Sequence, residues 1–293
     1  MPPHLRRFAA ALLVLAICGW VISKAPRQTG SAQEESLQSS RDLQMQSQAL
    51  LVAGRYDEAL PLLQQLHEAY PGNHVYLAGL ARLHERLGQW TECAAAWEAY
   101  LEVSPTPWEA FPTLGDAYRK LGRPKDAIAA FKRGVALAPK KPELAFYLGR
   151  AYEYENDFEK ARSVYRDGLR EHPDHADLKV GLARIALFTG HVAEARRLAE
   201  EAARQDFRSV DARLVLGMAL RSQGDLYGAR RELEQARTLS PDYVDVLQVL
   251  GGVAEQQKDV AAARAAYGHI LQLDPTHAAA RARMAGLPQG NQP

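Results

Sequence analysis

The sequence predicts an all-α protein in which pairs of helices repeat and stack into a solenoid. Helix-favouring alanine, leucine, arginine and glutamate dominate the 293 residues, and no Val/Ile/Thr-rich alternating run indicates a strand. The spacing of six prolines supports the repeat more strongly. Successive members of the series lie 34 or twice 34 positions apart: Pro71, Pro105, Pro139, Pro173, Pro241 and Pro275. Such a period is typical of solenoids, since one helix pair cannot bury its apolar stripe without a neighbour.

The N-terminus forms a separate predicted element. A basic segment, residues 1–7, precedes a mostly apolar run without charges, residues 8–23. This run would span about 24 Å as a helix, and flanking arginine and lysine side chains can extend it towards the roughly 30 Å of a hydrocarbon core. We therefore expect a transmembrane signal anchor. A cleaved signal peptide and a lipoprotein modified at Cys18 are the alternatives.

The charges beside this run indicate an orientation. Arg6, Arg7 and the amino terminus precede it, and Lys24 and Arg27 follow it. By the positive-inside rule this balance favours, weakly, a single-pass, membrane-anchored protein whose repeats face the periplasm or another extracytoplasmic space. Residues 24–39 are polar, and we expect them to form a flexible tether.

The proline period divides most of the remaining chain into repeats. If each proline is the third residue from the end, seven repeats cover residues 40–73, 74–107, 108–141, 142–175, 176–209, 210–243 and 244–277. Each contains two helix-length apolar patterns, and in six repeats a glycine or asparagine at the fifteenth position suits a left-handed turn between them. Residues 278–286 predict a C-terminal capping helix, and residues 287–293 a disordered tail.

Recurring residues inside the repeats identify a family. The seventh position is leucine in six repeats, the eighth is small, the twentieth is alanine or Cys93, and the twenty-fourth is bulky in six repeats. With Tyr118 and Tyr152 at the eleventh position, this pattern resembles the tetratricopeptide (TPR) repeat over about four-fifths of the chain. The resemblance implies a right-handed superhelix whose first helices line a concave, protein-binding surface.

Residues on that implied surface are the candidate binding site. Tyr147 and Tyr154 lie seven residues apart and hence on one face of a helix, and Arg150 and Arg184 hold the ninth position of repeats four and five. Aromatic and arginine residues are enriched at interface hot spots. The predicted peptide-binding groove therefore comprises Arg82, Asp116, Phe146, Tyr147, Arg150, Tyr154, Arg184 and Phe188, with Val180 and Leu187 beside them. In the competing interpretation, Leu187 and Phe188 pack between repeats and the arginines pair with Glu153 or Asp116.

Several functional classes are disfavoured. The charge is nearly balanced, with 36 basic and 35 acidic residues, so we expect no nucleic-acid partner. The two cysteines, Cys18 and Cys93, cannot form a disulfide framework. Phosphate-binding, nucleophile-elbow and zinc-protease motifs are missing, so we expect no enzyme activity, cofactor or metal site. The lysine and asparagine pattern by which some TPR proteins clamp two carboxylates is also missing.

These observations predict a membrane-tethered scaffold or assembly factor that binds a protein or peptide partner. The layout is similar to that of several bacterial cell-envelope assembly factors, an analogy of architecture alone. One alternative is a structural module that forms homo-oligomers or pairs through its convex face. The other is an adaptor on the cytoplasmic side of the same anchor.

Overall fold

The computed structural model describes the backbone of residues 30–288 and the side chains of residues 38–288. This part of the chain contains α-helices, one 3-10 helix and no strand. The helices are α1 (Gly30–Val52), α2 (Tyr56–Ala69), α3 (His74–Arg86), α4 (Trp90–Val103), the 3-10 helix Pro107–Ala110, α5 (Phe111–Lys120), α6 (Pro124–Leu137), α7 (Pro142–Tyr154), α8 (Phe158–Glu171), α9 (Ala176–Phe188), α10 (Val192–Gln205), α11 (Val210–Ser222), α12 (Leu226–Leu239), α13 (Val244–Gln256), α14 (Val260–Leu273) and α15 (Ala278–Gly286).

The predicted all-helical repeat architecture is confirmed. An odd-numbered helix and the following even-numbered helix make up each repeat, and α15 follows the last pair. The chain divides into two compact parts. The N-terminal part ends at Gly88 and holds α1 to α3, and the C-terminal part begins at Gln89 and holds α4 to α15.

The first helix is longer than the sequence predicts. It begins at Gly30, so residues 30–39, which we expected to belong to a flexible tether, are helical. That part of the prediction is wrong because polarity alone does not prevent a helix. After Gly30 the segment contains no glycine or proline, and its glutamine, glutamate and alanine residues favour helix formation.

Repeat three begins irregularly because of Pro112. The 3-10 helix Pro107–Ala110 replaces the first turn found in other repeats, and α5 starts at Phe111. Proline lacks a backbone N–H and its ring clashes with the carbonyl four residues earlier, so it is tolerated in the first turn of a helix and disrupts an interior. Placing Pro112 in the first turn of a shortened helix avoids that clash.

The turns inside the repeats are left-handed, as the sequence predicts for six of them. The fifteenth residue has a φ between 60° and 84° in all seven repeats: Gly54, Gly88, Gly122, Asn156, Gly190, Gly224 and Lys258. Lys258 adopts this conformation although lysine has no intrinsic preference for it. The helix pair therefore determines the turn even where the residue type does not.

Small and bulky residues pack in matched pairs within the repeats. A Cβ atom built on the glycine of the eighth position would lie between 2.1 and 2.6 Å from the bulky twenty-fourth side chain in four cases: Gly115–Phe131, Gly149–Tyr165, Gly217–Leu233 and Gly251–Tyr267. The glycines thus provide the space that the rings and Leu233 fill. Cys93 belongs to the series of small residues at the twentieth position. It is fully buried in the core and forms no disulfide.

The last helix covers the apolar end of repeat seven. Ala280 of α15 and Leu287 just beyond it belong to one buried cluster with Leu247, Tyr267 and Ile270. This helix occupies the predicted residues 278–286.

The predicted anchor, residues 8–23, lies outside the described residues, as do the first residues of the tether and the last five of the tail. Between residues 30 and 288, no helix has the length and apolar character needed to cross a membrane. Among the side chains of residues 38–288, no three metal-ligating groups lie close enough together to hold a metal ion.

Candidate functional site

Helix α7 divides its side chains between core and surface, and the candidate site begins there. Leu148, Gly149 and Tyr152 are buried, in agreement with their helical period. Arg150 is partly exposed, and 54% of Tyr154 is exposed. The same helix therefore both stabilises the repeat and presents a polar aromatic surface.

The aromatic rings of α7 also pack between repeats. Tyr147 stacks on Phe131 of repeat three, with ring centroids 5.8 Å apart and an interplanar angle of 10°. The ring of Phe146 lies 5.8 Å from that of Tyr147 and 6.4 Å from that of Tyr165. Because Phe146 and Tyr147 are half-buried, only part of each ring can contact a partner.

Arg150 lies in a row of alternating cations and rings. Its Nη2 donates a hydrogen bond to the Tyr154 hydroxyl at 2.5 Å, and its Cζ lies 5.5 Å from the Tyr154 ring centroid and 5.7 Å from that of Phe146. Arg119 approaches the same Tyr154 ring at 5.4 Å. These distances are typical of cation–π contacts. We call Arg119, Tyr154, Arg150 and Phe146 the cation–ring row.

Arg150 differs from its neighbours in having no carboxylate partner. Within residues 38–288, no aspartate or glutamate oxygen lies within ion-pair distance of its guanidinium. Arg119, by contrast, donates to Asp116 at 2.6 Å. The Arg150 guanidinium is therefore held in place by rings and a hydroxyl while its charge is not neutralised by a contact.

Arg184 pairs with Glu153, as the competing interpretation of the sequence predicts. Its Nε donates to Glu153 Oε2 at 2.9 Å and its Nη2 to Glu153 Oε1 at 3.3 Å. The Tyr165 hydroxyl donates to the same carboxylate. Burial and then the Glu153 charge raise the pKa of Tyr165 far above its ordinary value. Arg184 thus belongs to a bridge between repeats four and five, which leaves few donors for a partner.

The remaining predicted residues do not all join one surface. Arg82 is exposed, but it belongs to the N-terminal part of the chain. Asp116 pairs with Arg119 of its own helix. Phe188 is 70% exposed, with its ring 4.2 Å from that of Phe158. The prediction for Val180 is wrong, because only 1% of this residue is exposed and it packs in the core of repeats five and six.

An acidic side of the structure was missed in the sequence. The Tyr243 hydroxyl donates to Asp211 Oδ1 at 2.9 Å. Burial and Asp211 raise the pKa of Tyr243 to about 12, and Arg150 opposes that rise. Tyr243, the last residue of repeat six, thus bonds to a carboxylate in the first turn of that repeat's first helix, α11.

Asp177 lies in this acidic region. Burial raises its pKa, and the like charges of Asp211, Asp206 and Glu143 add to the rise. The signal was present in the sequence, because the second position of five consecutive repeats is acidic: Glu109, Glu143, Asp177, Asp211 and Asp245. Carboxylates in the first turn also suit the helix dipole, so the pattern has a structural reason as well.

Comparisons with known proteins agree with the repeat pattern. Two family models, each described as a tetratricopeptide repeat, match the chain, one at residues 113–176 and 214–278 and the other at residues 50–110 and 154–219. No curated protein matches the sequence.

Solved structures show the same fold at low sequence identity. A tetratricopeptide repeat protein from Parabacteroides merdae is 16% identical, with a TM-score of 0.68 over 85% of this chain and 98% of that one. A chain of the APC/C hetero-tetramer Cut9–Hcn1 is 14% identical, with a TM-score of 0.63 over 83% of this chain, which spans only 55% of that longer protein. PilF from Pseudomonas aeruginosa is 15% identical, with a TM-score of 0.58 over 72% of this chain and 96% of that one.

Proposed function

Because the chain belongs to the tetratricopeptide-repeat family, we propose that it is a non-enzymatic scaffold that binds a partner protein along the surface of repeats four and five. The observation that carries this proposal is Arg150, a guanidinium oriented by two rings and lacking a carboxylate partner among the described residues. Guanidinium groups bind carboxylates with high geometric specificity. The partner segment is therefore an extended peptide or helix with a carboxylate for Arg150.

The rings beside Arg150 define the rest of the partner's chemistry. Tyr154 is 54% exposed and lies directly next to the guanidinium, and Phe188 offers a second exposed ring. Aromatic side chains supply contact area at low entropic cost. A partner segment with an apolar residue near its carboxylate would fit this surface better than a uniformly acidic one.

We further propose that residues 8–23 tether the scaffold to a membrane, with the repeats in an extracytoplasmic space. The support is the apolar run and its flanking charges in the sequence. Alkaline phosphatase fused after Ser40 should be active if this orientation holds. An inactive fusion would favour a cytoplasmic-side adaptor.

The binding proposal is tested by site-specific crosslinking. A photoreactive phenylalanine analogue at position 188 should crosslink the partner in native membranes, because Phe188 is 70% exposed and its replacement keeps the Tyr154 hydroxyl that orients Arg150. The substitution Arg150→Gln should abolish the crosslink. Arg170→Gln is the matched control, since Arg170 is a well-exposed arginine of α8 that pairs with Asp167.

Two results would contradict the proposal. A crosslinked product of equal yield with Arg150→Gln would show that the guanidinium does not recognise the partner. A product consisting only of two copies of this chain would favour the alternative of a self-associating structural module.

A further inference from the structure

A second candidate site lies at the C-terminal end of the chain, where α11, α13 and α15 form a cleft of about 360 Å³. Apolar atoms of Met218, Val249 and Ala279 line it, and Tyr267 lies at its base. Two arginines, Arg221 and Arg283, also border the cleft. None of these residues belongs to the surface around Arg150.

The cleft exists because repeat seven has a glycine at the ninth position. Repeats four to six carry Arg150, Arg184 and Met218 there, whereas repeat seven has Gly252. The Arg221 guanidinium extends into the vacated space: a Cβ on Gly252 would lie 3.0 Å from its Nη1 and 3.1 Å from its Cζ. The missing side chain thus lets Arg221 lie flat against α13.

Arg221 keeps free donors in this position. Its Nε donates to Gln256 Oε1 at 2.9 Å, and within residues 38–288 its two terminal nitrogens have no hydrogen-bond acceptor. A guanidinium fixed through Nε with both Nη groups free can bind a carboxylate through two hydrogen bonds. The orientation needed for such binding therefore exists before a ligand arrives.

The charge of the cleft favours an anion. Arg283 donates to Glu255 Oε2 at 3.2 Å, so the two arginines and one carboxylate leave an excess of one positive charge. Both arginines lie close enough to Tyr267 to oppose the rise in its pKa to about 12, which burial and Glu255 cause. Arg221 and Arg283 thus act on the same small volume.

We propose that this cleft binds the C-terminal residue of a partner chain, with the terminal carboxylate on Arg221 and an aliphatic side chain against Met218, Val249 and Ala279. A C-terminal residue carries its carboxylate and its side chain on one Cα atom. That arrangement matches a guanidinium that borders an apolar cleft large enough for a single residue. The inference does not depend on the function proposed for the Arg150 surface.

The test uses the full chain labelled with ¹³C at its methionine methyl groups, and N-acetyl-L-leucine as the probe. The Met218 resonance is assigned as the one that disappears in Met218→Leu. Its chemical shift should change with added probe and reach a plateau at millimolar probe concentration, as expected when a single residue binds one subsite. Met45, in α1 of the N-terminal part and 63% exposed, provides an internal control that should not move. N-acetyl-L-leucinamide, which lacks the charge, and acetate, which lacks the side chain, should cause no comparable shift.

Variants then identify the group that binds the probe. Arg221→Gln should weaken binding of the probe by about tenfold or more. Ala279→Leu should block binding, because Ala279 is exposed at the cleft and the larger side chain would fill it. Arg231→Gln is the control, because this exposed arginine of α12 pairs with Glu232 away from the cleft. Circular dichroism should show unchanged helix content in all three variants.

Several outcomes would overturn the inference. An equal shift with the amide would show an apolar cleft that does not recognise carboxylates, and an equal shift with acetate would show adventitious anion binding. If the Met218 chemical shift did not change with N-acetyl-L-leucine, the cleft would not bind a C-terminal residue. Arg150→Gln should leave the Met218 shift unchanged, so this test and the crosslinking test can fail separately.

Discussion

Repeats four and five each place an arginine at the ninth position of their first helix, yet only Arg184 has a carboxylate partner in the described structure. Glu153 lies three residues after Arg150 on α7, a spacing that allows a pair within one helix. It bonds instead to Arg184 on α9, and the Tyr165 hydroxyl donates a second hydrogen bond to the same carboxylate. Equivalent arginines of neighbouring repeats therefore differ in their partners: one is neutralised by a carboxylate, and the other bonds to a tyrosine hydroxyl.

Displacing the Tyr165 ring should have the largest effect on the packing between repeats four and five. Its ring fills the gap between α7 and α9: a Cβ on Gly149 would lie 2.1 Å from Cε1, and one on Gly181 would lie 2.5 Å from Cε2. Gly149→Ala should therefore lower the free energy of unfolding by about 3 kcal/mol, measured by urea denaturation.

Gly268→Ala is the control for that substitution. The nearest atom to its Cβ would be Met284 Cε at 3.5 Å, which is ordinary contact, and alanine favours a helix interior by up to about 1 kcal/mol over glycine. Unchanged stability in Gly149→Ala would mean that the Tyr165 ring does not separate the helices as described.

The two arginines themselves give the next largest effect. Arg184→Met should cost about 1–3 kcal/mol, since it removes donors from a carboxylate that is only 17% exposed. Arg150→Met should change stability by no more than about 0.5 kcal/mol, as is usual for substitutions that disrupt no ion pair or core contact. Thermal unfolding of both variants measures the difference. Equal losses would refute the division of roles.

Alkaline pH tests the bridge around Tyr165. Burial and Glu153 raise the pKa of this hydroxyl, so the folded state keeps a proton that the unfolded state loses above pH 10.0, the ordinary tyrosine value. Deprotonation thus favours the unfolded chain, and this one group lowers stability by about 1.4 kcal/mol per pH unit above that value. Tyr165→Phe should reduce the slope of stability against pH by that amount. An unchanged slope would show that Tyr165 ionises freely in the folded state.

Substitutions in the turns of the two repeats should change stability least. Asn156 of repeat four has a φ of 60° and Gly190 of repeat five a φ of 80°. Gly190→Ala should cost about 1 kcal/mol because an alanine is strained in this region, and Asn156→Gly should change stability by only a few tenths of a kcal/mol. Urea denaturation of the pair checks whether residue type or the helix pair controls the turn.

Much of the fold could be predicted because the repeat reinforces local signals. The small eighth position, the bulky twenty-fourth position and the turn each recur, so a weak preference at one site is supported by several others. The predictions failed where a local signal stood alone. Polarity suggested a tether over residues that form the start of α1, and Lys258 gave no sign of its left-handed turn.

The candidate site was less predictable than the fold. Helical spacing correctly separated buried Leu148, Gly149 and Tyr152 from partly exposed Arg150 and exposed Tyr154. It also assigned Val180 to the groove, although this residue is buried against the next repeat. Spacing gives the face of a helix, but the amount of that face that a neighbouring repeat covers depends on the sizes of side chains far away in sequence.

The amino-acid sequence alone specifies the period, the helix pairs, the turns and the residues that could reach a common face, because all of these follow from chemistry repeated every 34 residues. Packing between repeats sets two further features. Within residues 38–288, Glu153 pairs with Arg184 and no carboxylate pairs with Arg150, and Gly252 opens a cleft beside Arg221. The reason is physical: an ion pair or a cleft depends on distances of a few ångströms between atoms of different repeats. No spacing within one repeat specifies those distances.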